Sequence, residues 1–403
     1  MLIKTIFNDF FDKRSTNSAS AASTSFLDFG FLNSDALTGV SSKSSLTLSA
    51  FYNGVDQISN DIAKLPKSIY KSEGESRLPI PQHPANYILA SSPNQMMTSF
   101  DFWKVTTTTV ILKGNSYAII ERGANSGKQE AWIFVENQDI TVLRYKNTLI
   151  YRYKGKIIDS NDVLHFKGFS LDGIMGIGVV FFAASQLGIL LEAQDYSKTV
   201  FKNKGIGYGV IESDSDVNID NKRKIEDGFV SKMMQKSPFK VPMLDNGMKY
   251  KSIAISPAES QFLETNKNGV TEVCRWLNIA PHKLKHLEGA TFSNIYQQSI
   301  EHVQDSILPW VIRFEQELNR KIFTDVEKVS HYVKFNINFL MRGDLEQRRN
   351  YLTQLVYAGI ITRNEARAYE DMNPIDGLQE ILQPVNMQAL SIANQLINDQ
   401  KTK

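Results

Sequence analysis

The sequence predicts an α+β protein, on three observations. Apolar residues recur every three or four positions through long stretches of both halves of the chain. From Ser116 to Lys167 that spacing gives way to short β-branched and aromatic runs separated by turn chemistry. The 403 residues, 42% hydrophobic and 22% charged, suffice for a sizeable core spread over two or three units.

Taken in order, Met1 to Phe11 places Leu2, Ile3, Ile6, Phe7, Phe10 and Phe11 on one stripe. This segment reads either as a docking helix for a partner or membrane surface, or as an arm folded back on the chain's own core; the second reading is preferred. No apolar h-region or small-residue cleavage site follows, so a secretory signal is not expected. Residues 12–44, rich in Ser, Thr, Asn and Ala, read with the first eleven as a flexible arm over 1–45. A helix is predicted from about Ser45 to Lys64, with Leu48, Phe51, Val55, Ile58, Ile62 and Leu65 on its inner face and Pro66 closing it. Met97 to Lys113 is the next, capped by Thr98 or Ser99. Strands follow at Tyr117–Glu121, Ala131–Val135, Thr141–Tyr145, Leu149–Tyr153 and Val163–Lys167, with turns at Gly123–Gly127 and Lys154–Gly155.

Gly173 to Leu191 carries no charge and is long enough to cross a bilayer, but its glycines, Ser185 and Gln186 weaken insertion and its flanks are acidic. A packed helix from about Gly178 to Lys204 fits better, with Ala184 and Gly188 letting another helix approach closely. Beyond it the pattern predicts a strand near Gly209–Ser213, a charged helix near Asp220–Lys236, and strands Lys240–Leu244 and Lys249–Ile255 joined by the hairpin signal Asp245-Asn246-Gly247. A helix spans roughly Pro257 to Asn278. The longest helical stripe runs Tyr296, Ile300, Val303, Ile307, Val311, Phe314, Leu318, Ile322. Pro309 lies inside it and should kink the helix at a cost of ~3 kcal/mol, which eight buried apolar side chains at roughly 1.5–3 kcal/mol each outweigh. A strand Tyr332–Phe339 and helices Leu345–Tyr357 and Thr362–Tyr369 complete the chain; the last is opened by the capping box Thr362-x-x-Glu365.

No enzyme constellation emerges. Gly123 to Gln129 is one residue short of a phosphate loop and lies between strands, so a hairpin turn explains it. Gly205-x-Gly207-x-Gly209 follows a helix instead of a strand. His282, His286 and Glu288 have metal-like spacing, but Pro281 and Gly289 break the helix such a site needs. The one cysteine, Cys274, lies on an apolar stripe and reads as a core thiol, and it excludes an internal disulfide. Arg342-Gly343-Asp344 reads as a helix-entry turn. Lys+Arg 45 against Asp+Glu 43 leaves +2, so no global basic field marks a static nucleic-acid binder. Neither a cofactor nor a metal is expected.

Several ordered motifs nevertheless add up. They are Asp61-Ile-Ala-Lys-Leu-Pro66, Met97-Thr-Ser-Phe-Asp-Phe-Trp103, Gly114-Asn-Ser-Tyr117, Phe166-Lys-Gly-Phe-Ser-Leu-Asp-Gly173, Gln261-Phe-Leu-Glu264, Ala290-Thr-Phe-Ser-Asn294 with Leu308-Pro-Trp310, Arg342-Gly-Asp344, and Gly359-Ile-Ile-Thr-Arg-Asn-Glu-Ala-Arg367. In order and spacing, over about residues 46–378, they resemble the phage portal protein family, the head–tail connectors of tailed double-stranded DNA phages. The resemblance implies a dodecameric ring around a DNA channel at one capsid vertex, assembled in the host cytoplasm. Its expected partners are double-stranded DNA in passage, the terminase, the major capsid or scaffold protein and a head–tail adaptor, with no membrane. It divides the chain into a wing at 46–176 with 324–343, stem helices at 177–204 and 257–281, a clip at 205–256, a tunnel loop at 282–292, a long kinked helix at 293–323 and a crown with its tail at 344–403. Lys283, Lys285 and His286 become candidate DNA contacts, although a plain structural turn explains this stretch equally well. Asp220, Lys222, Arg223, Lys224 and Glu226 of the clip become candidate terminase or adaptor contacts. Lys285 stands where family members often carry Gly. Near-zero net charge suits a conduit, because each neutralised phosphate adds affinity that would hold the DNA. Two other classes remain open: a nucleic-acid-processing enzyme, for which no clustered acidic site exists, and a membrane-associated assembly protein.

Overall fold

The computed structural model describes residues 40–74, 76–123, 127–145, 148–202, 209–212, 222–225, 227–228, 249–252, 258–285, 292–341, 345–370 and 372–381. Of the predicted arm, Val40 is already buried, and α1 (Ser42–Ser45) is closed by a capping box between Ser41 and Ser44. The arm reading therefore fails at its C-terminal end, because Val40 packs beside Gly188 of the later stem helix. The remaining arm, 1–39, lies outside the described residues.

The predicted first helix forms as α2 (Ser49–Ala63), starting four residues later than expected after the separate turn of α1. Its whole inner stripe from Leu48 to Leu65 is buried. After Pro66 the chain enters β1 (Lys67–Glu73), β2 (Ser76–Pro79) and α3 (Pro84–Ala90), none of which the hydrophobic pattern flagged. Next comes α4 (Ser99–Lys113), whose cap is Thr98, accepting from the Asp101 N–H at 3.2 Å. The strand region resolves into β3 (Asn115–Arg122), β4 (Gln129–Val135), β5 (Ile140–Tyr145), β6 (Thr148–Tyr153), β7 (Lys156–Ile158) and β8 (Val163–Lys167). The β6–β7 turn holds Lys154 and Gly155 at φ 46° and 85°, the two left-handed residues a tight hairpin requires.

All the sheets are small and antiparallel: β4–β3–β8, β5–β6–β7, and β1 between β2 and the distant β11 (His331–Phe335). The inner faces of the first and third meet at Trp103, which is fully buried on α4, whereas β5–β6–β7 closes a second, smaller core with Tyr117, Tyr151 and Val163. The Trp103 ring lies 5.1 Å from Phe335, 5.6 Å from Phe166, 5.6 Å from Phe314 and 6.5 Å from Trp132. One aromatic side chain thus joins three strands from two sheets and the long helix, with edge-to-face pairs adding about 0.5–1.5 kcal/mol each to the area term.

The uncharged stretch becomes α5 (Val179–Lys202), packed on α4 and on α6 (Ala258–Leu277). The expected role of Ala184 and Gly188 is not what brings helices together. Gly188 meets only Val40, whereas Gly269 on α6 faces α5: a Cβ there would lie 2.4 Å from Leu190 Cδ2. Between these helices β9 (Gly209–Glu212) pairs antiparallel with β10 (Lys249–Ser252). The predicted strand Lys240–Leu244 and its hairpin turn lie outside the described residues.

The long stripe forms α7 (Phe292–Glu301), a π-helical segment His302–Ile307, and α8 (Leu308–Lys321). The predicted strand 332–339 stops at Phe335: the Asn336 N–H still bonds Pro66 O at 2.8 Å in the same register, but proline has no N–H to return the pair, and Ile337–Met341 coils as a 3-10 turn over the core. Helices α9 (Leu345–Tyr357) and α10 (Arg363–Tyr369) follow, and the Thr362–Glu365 capping box is present in both directions.

Candidate functional site

Between α6 and α7 the chain makes a 3-10 turn, Pro281–Leu284, that ends in Lys285. Leu284 is buried against Gly54 of α2, which anchors the turn to the first half of the fold. Lys285 adopts φ 62° and ψ 22°, its N–H bonding back to His282 O at 3.1 Å. That left-handed geometry costs an ordinary residue about 1–2 kcal/mol and a glycine almost nothing, which explains why a glycine suits the position. Lys283 is half-buried and Lys285 exposed; His286 and Glu288 lie outside the described residues.

His282 faces the last turn of α7. Its Nδ1–H donates to Gln298 Oε1 at 3.0 Å and its Nε2 accepts from the Ser299 hydroxyl at 3.3 Å. Desolvation lowers its pKa, opposed by the Gln298 bond and reinforced by the charges of Lys283, His302 and Lys285. A neutral imidazole is thus built in as a strut, and no group of three metal-ligating side chains exists among the described residues. Cys274 is buried and its thiol is pushed up by desolvation, as a core position requires.

Behind the turn lies the kink. Pro309 has no N–H, so the Asp305 carbonyl four residues earlier loses its α-helical donor. Asn278 Nδ2 donates to that carbonyl at 3.0 Å, from a residue itself held at φ 49°, and the Ser306 hydroxyl donates to Asn278 O. One turn earlier, His302 is buried with its Nε2–H donating to Asp61 Oδ2 at 2.8 Å, while Lys64 and Gln57 bind the same carboxylate. Burial alone would raise the Asp61 pKa, but the bonds from His302, Lys64 and Gln57 outweigh it and hold it at about 2. The Nδ1 of His302 is buried without a partner. A cavity of about 290 Å³ opens beside the kink, with Phe169, Ile177, Trp276, Pro309 and Trp310 among its walls.

Two further buried polar nodes hold this region against the sheets. Asn115 takes Gly176 N–H and donates to Gly176 O, both at 2.7 Å, and its Oδ1 also accepts from His165 Nε2 at 3.0 Å. Tyr151 donates to His165 Nδ1 at 3.1 Å, so the imidazole is neutral, and burial keeps it so by lowering its pKa well below the ordinary value. Gly114 and Gly176 make the approach possible: a Cβ on Gly176 would lie 1.9 Å from Gly114 O. On α8, Glu317 accepts the His165 N–H at 3.1 Å and Glu315 the Phe335 N–H at 2.8 Å, so two carboxylates tie β8 and β11 to the long helix. Asn115 and Asp61 stand inside the motifs that carry the family resemblance, but their roles are set by partners far away in the chain. The available signal was an acidic residue between Ile58 and Ile62 on an otherwise apolar face; its partner His302 is 241 positions away.

Of the expected clip contacts, Lys222, Arg223 and Lys224 are exposed on a short helical stretch, while Asp220 and Glu226 lie outside the described residues. Lys251 and Glu212 pair across the β9–β10 ladder at 3.5 Å. The described residues do not bring these charges together with Lys283 and Lys285.

Comparison with known proteins agrees with this architecture. The chain is 24% identical over 343 residues to the portal protein of Enterobacteria phage HK97, spanning 82% of this chain and 80% of that one. The fold matches an HK97-family phage portal protein from Corynebacterium diphtheriae with a TM-score of 0.55 at 18% identity, covering 74% of this chain and 96% of the other. It also matches a chain in the neck of a native gene transfer agent particle, solved with C12 symmetry, with a TM-score of 0.52 at 16% identity and coverage of 82% and 93%. The family model for the phage portal protein matches residues 49–371, most of the chain, and the protein belongs to that family.

Proposed function

We propose that twelve copies of this chain form the portal ring at one capsid vertex, the passage through which double-stranded DNA enters the head and later leaves it. The family match across 49–371 carries this reading, and the similarity to a neck chain computed with C12 symmetry supports a ring of twelve. In it the wing, stem, clip, tunnel loop and crown take the boundaries expected above. The terminase docks on the clip during packaging and the head–tail adaptor replaces it, with Asp220, Lys222, Arg223, Lys224 and Glu226 among the contacts. Capsid or scaffold protein surrounds the wing, and assembly takes place in the host cytoplasm. The ring itself makes and breaks no covalent bond; its work is to hold a channel open and to present docking faces. No helix among the described residues is long and apolar enough to cross a membrane.

The channel chemistry falls to Lys283 and Lys285, with His286 beside them. Lys285 is exposed and Lys283 half-buried on this turn; ammonium groups there touch phosphates briefly, and few of them per subunit keep the salt-dependent grip weak. Two measurements test the proposal. Native mass spectrometry with negative-stain imaging of the purified chain should give closed rings of twelve; a chain that never closes, even with scaffold or capsid protein, overturns the ring. Replacing both Lys283 and Lys285 by Glu should reduce DNA packaged or retained per particle, and unchanged packaging and retention overturns the DNA contact and leaves a structural turn.

A further inference from the structure

A strand with one side unpaired presents a row of N–H and C=O groups on which another strand can form. Most such sides in this fold are closed by particular groups. Glu317 takes the His165 N–H of β8, and Asn319 and Glu315 take the Val333 and Phe335 N–H groups of β11. On β4, Trp132 bonds Pro93 O through its N–H at 2.7 Å and Asn94 Nδ2 through its carbonyl at 2.8 Å. β2, β7, β9 and β10 are only three or four residues long. β5 differs: it has six residues with neither proline nor glycine, and among the described strands it pairs with β6 alone.

The register shows which of its groups face outward. Lys154 N–H bonds Asp139 O at 3.0 Å, and the ladder continues from Ile140↔Tyr153 to Tyr145↔Thr148. Bonded and non-bonded pairs alternate in an antiparallel ladder. Thr141, Leu143 and Tyr145 therefore bond β6, while Ile140, Val142 and Arg144 turn their backbone groups to the open side. The Val142 side chain packs half-buried on the small core of Tyr117, Tyr151 and Val163, so a strand laid beside it would lengthen that core.

Charge narrows the guest. From Ile140 to Ile158 the chain carries Arg144, Lys146, Arg152, Lys154 and Lys156 and no acidic residue. Glu136 and Asp139 precede β5, where Lys154 pairs with Asp139 at 3.6 Å. Asp159 and Asp162 follow β7, two strands away, where Arg122 pairs with Asp162 at 2.7 Å. The exposed Arg144 stands at the opposite end of β5, next to Lys146 in sequence. We infer that the open side of β5 receives an extended segment of another protein, in which apolar residues alternate with acidic ones. The main-chain ladder holds that segment, its apolar residues extend the core beside Val142, and a carboxylate meets Arg144. A second copy of this chain is the poorer guest, because two such edges would set one basic sheet against another. This surface is separate from the Lys283–Lys285 turn and does not depend on the number of subunits in the ring.

The test uses the full chain and two synthetic peptides, one alternating valine with glutamate and one alternating valine with lysine. Hydrogen exchange resolved to single residues should show the glutamate peptide slowing the Val142 amide at least tenfold, with the Leu143 amide, already bonded to β6, unchanged. The lysine peptide should bind at least tenfold more weakly at low salt, and in Arg144→Glu that preference should reverse. Val142→Pro removes the outward donor without breaking a bond to β6, and should abolish binding of the labelled glutamate peptide while β6 and β7 exchange as before. Arg144→Glu, at an exposed position, decides the matter if the proline variant does not fold. No slowing at Val142, or equal binding of the two peptides to both proteins, overturns the inference. A Val142 amide that is already slow in rings, or that slows with rising protein concentration and no peptide, gives the edge to a second copy and overturns the outside partner. Ring closure is read separately by native mass spectrometry, so failure here leaves the ring reading standing.

Discussion

Lys67 is buried, donating to the carbonyls of Ala63 and Leu65 at 2.7 and 2.9 Å at the end of α2 and lying over the Trp103 and Phe335 rings. Desolvation brings its pKa down to about 7. Between that value and the unfolded 10.5 the unfolded chain binds the extra proton, so this group makes the fold more stable as pH rises from about 7 to 10.5. Lys67→Met should remove that slope: the stability difference between the two proteins in urea should shift toward wild type from pH 7.5 to 9.5, and a constant difference would refute the account. Lys285 offers a second residue-scale test. Lys285→Gly removes the charge but keeps the left-handed turn, and should leave stability unchanged or raise it by up to about 1 kcal/mol. A loss of more than that, read from thermal unfolding, would show that the lysine side chain itself holds the turn.

At the scale of elements, Gly269 on α6 leaves room for the Leu190 side chain of α5. Gly269→Ala places a methyl 2.4 Å from Leu190 Cδ2, whereas Gly188→Ala meets only Val40 Cγ2 at 3.6 Å. Alanine gains up to about 1 kcal/mol over glycine in a helix interior. Gly188→Ala should therefore be neutral or stabilising and Gly269→Ala less favourable by about 1–3 kcal/mol; equal denaturant midpoints would refute the assignment. The kink of the long helix has its own dependence. Asn278→Ala leaves the Asp305 carbonyl to water and puts alanine at a left-handed φ that asparagine tolerates better, and should cost about 1–3 kcal/mol, with faster amide exchange confined to the π segment and the start of α8. Exchange unchanged there would mean that Asn278 does not stabilise the kink.

Across the whole molecule, the buried groups predict acid sensitivity in two windows. His165 is neutral in the fold with a depressed pKa, so below about the ordinary 6.5 the unfolded chain takes up a proton the fold refuses, and stability falls as pH falls. Asp61 is ionised in the fold with a depressed pKa, and its contribution is present above 3.8 and lost as pH falls toward about 2. Urea unfolding at pH 7, 5 and 3 should give a falling midpoint at each step, and His165→Gln should flatten the first step while leaving the second. A first step of the same size in that variant would place the upper window on other groups.

Much of this was legible in the sequence. The buried stripe of α2, the span of α4, the strand Val163–Lys167, the helix Leu345–Tyr357 and the Thr362 capping box are local matters, set by apolar spacing and by hydrogen bonds within a few residues. The family was legible too, through motifs whose order survives along the chain. The rest is decided by groups far apart in sequence. β1 and β2 were missed because their burial depends on β11, more than 250 residues away, and Lys67 reads as a surface residue until the fold encloses it. The π segment ahead of Pro309 needs Asp61 on one side and Asn278 on the other. The Asn115–His165–Tyr151 node and the choice of Gly269 over Gly188 likewise depend on which surfaces meet. Periodicity along a chain determines which face of an element is apolar; only the packed structure decides what that face, or a buried polar group on it, will touch.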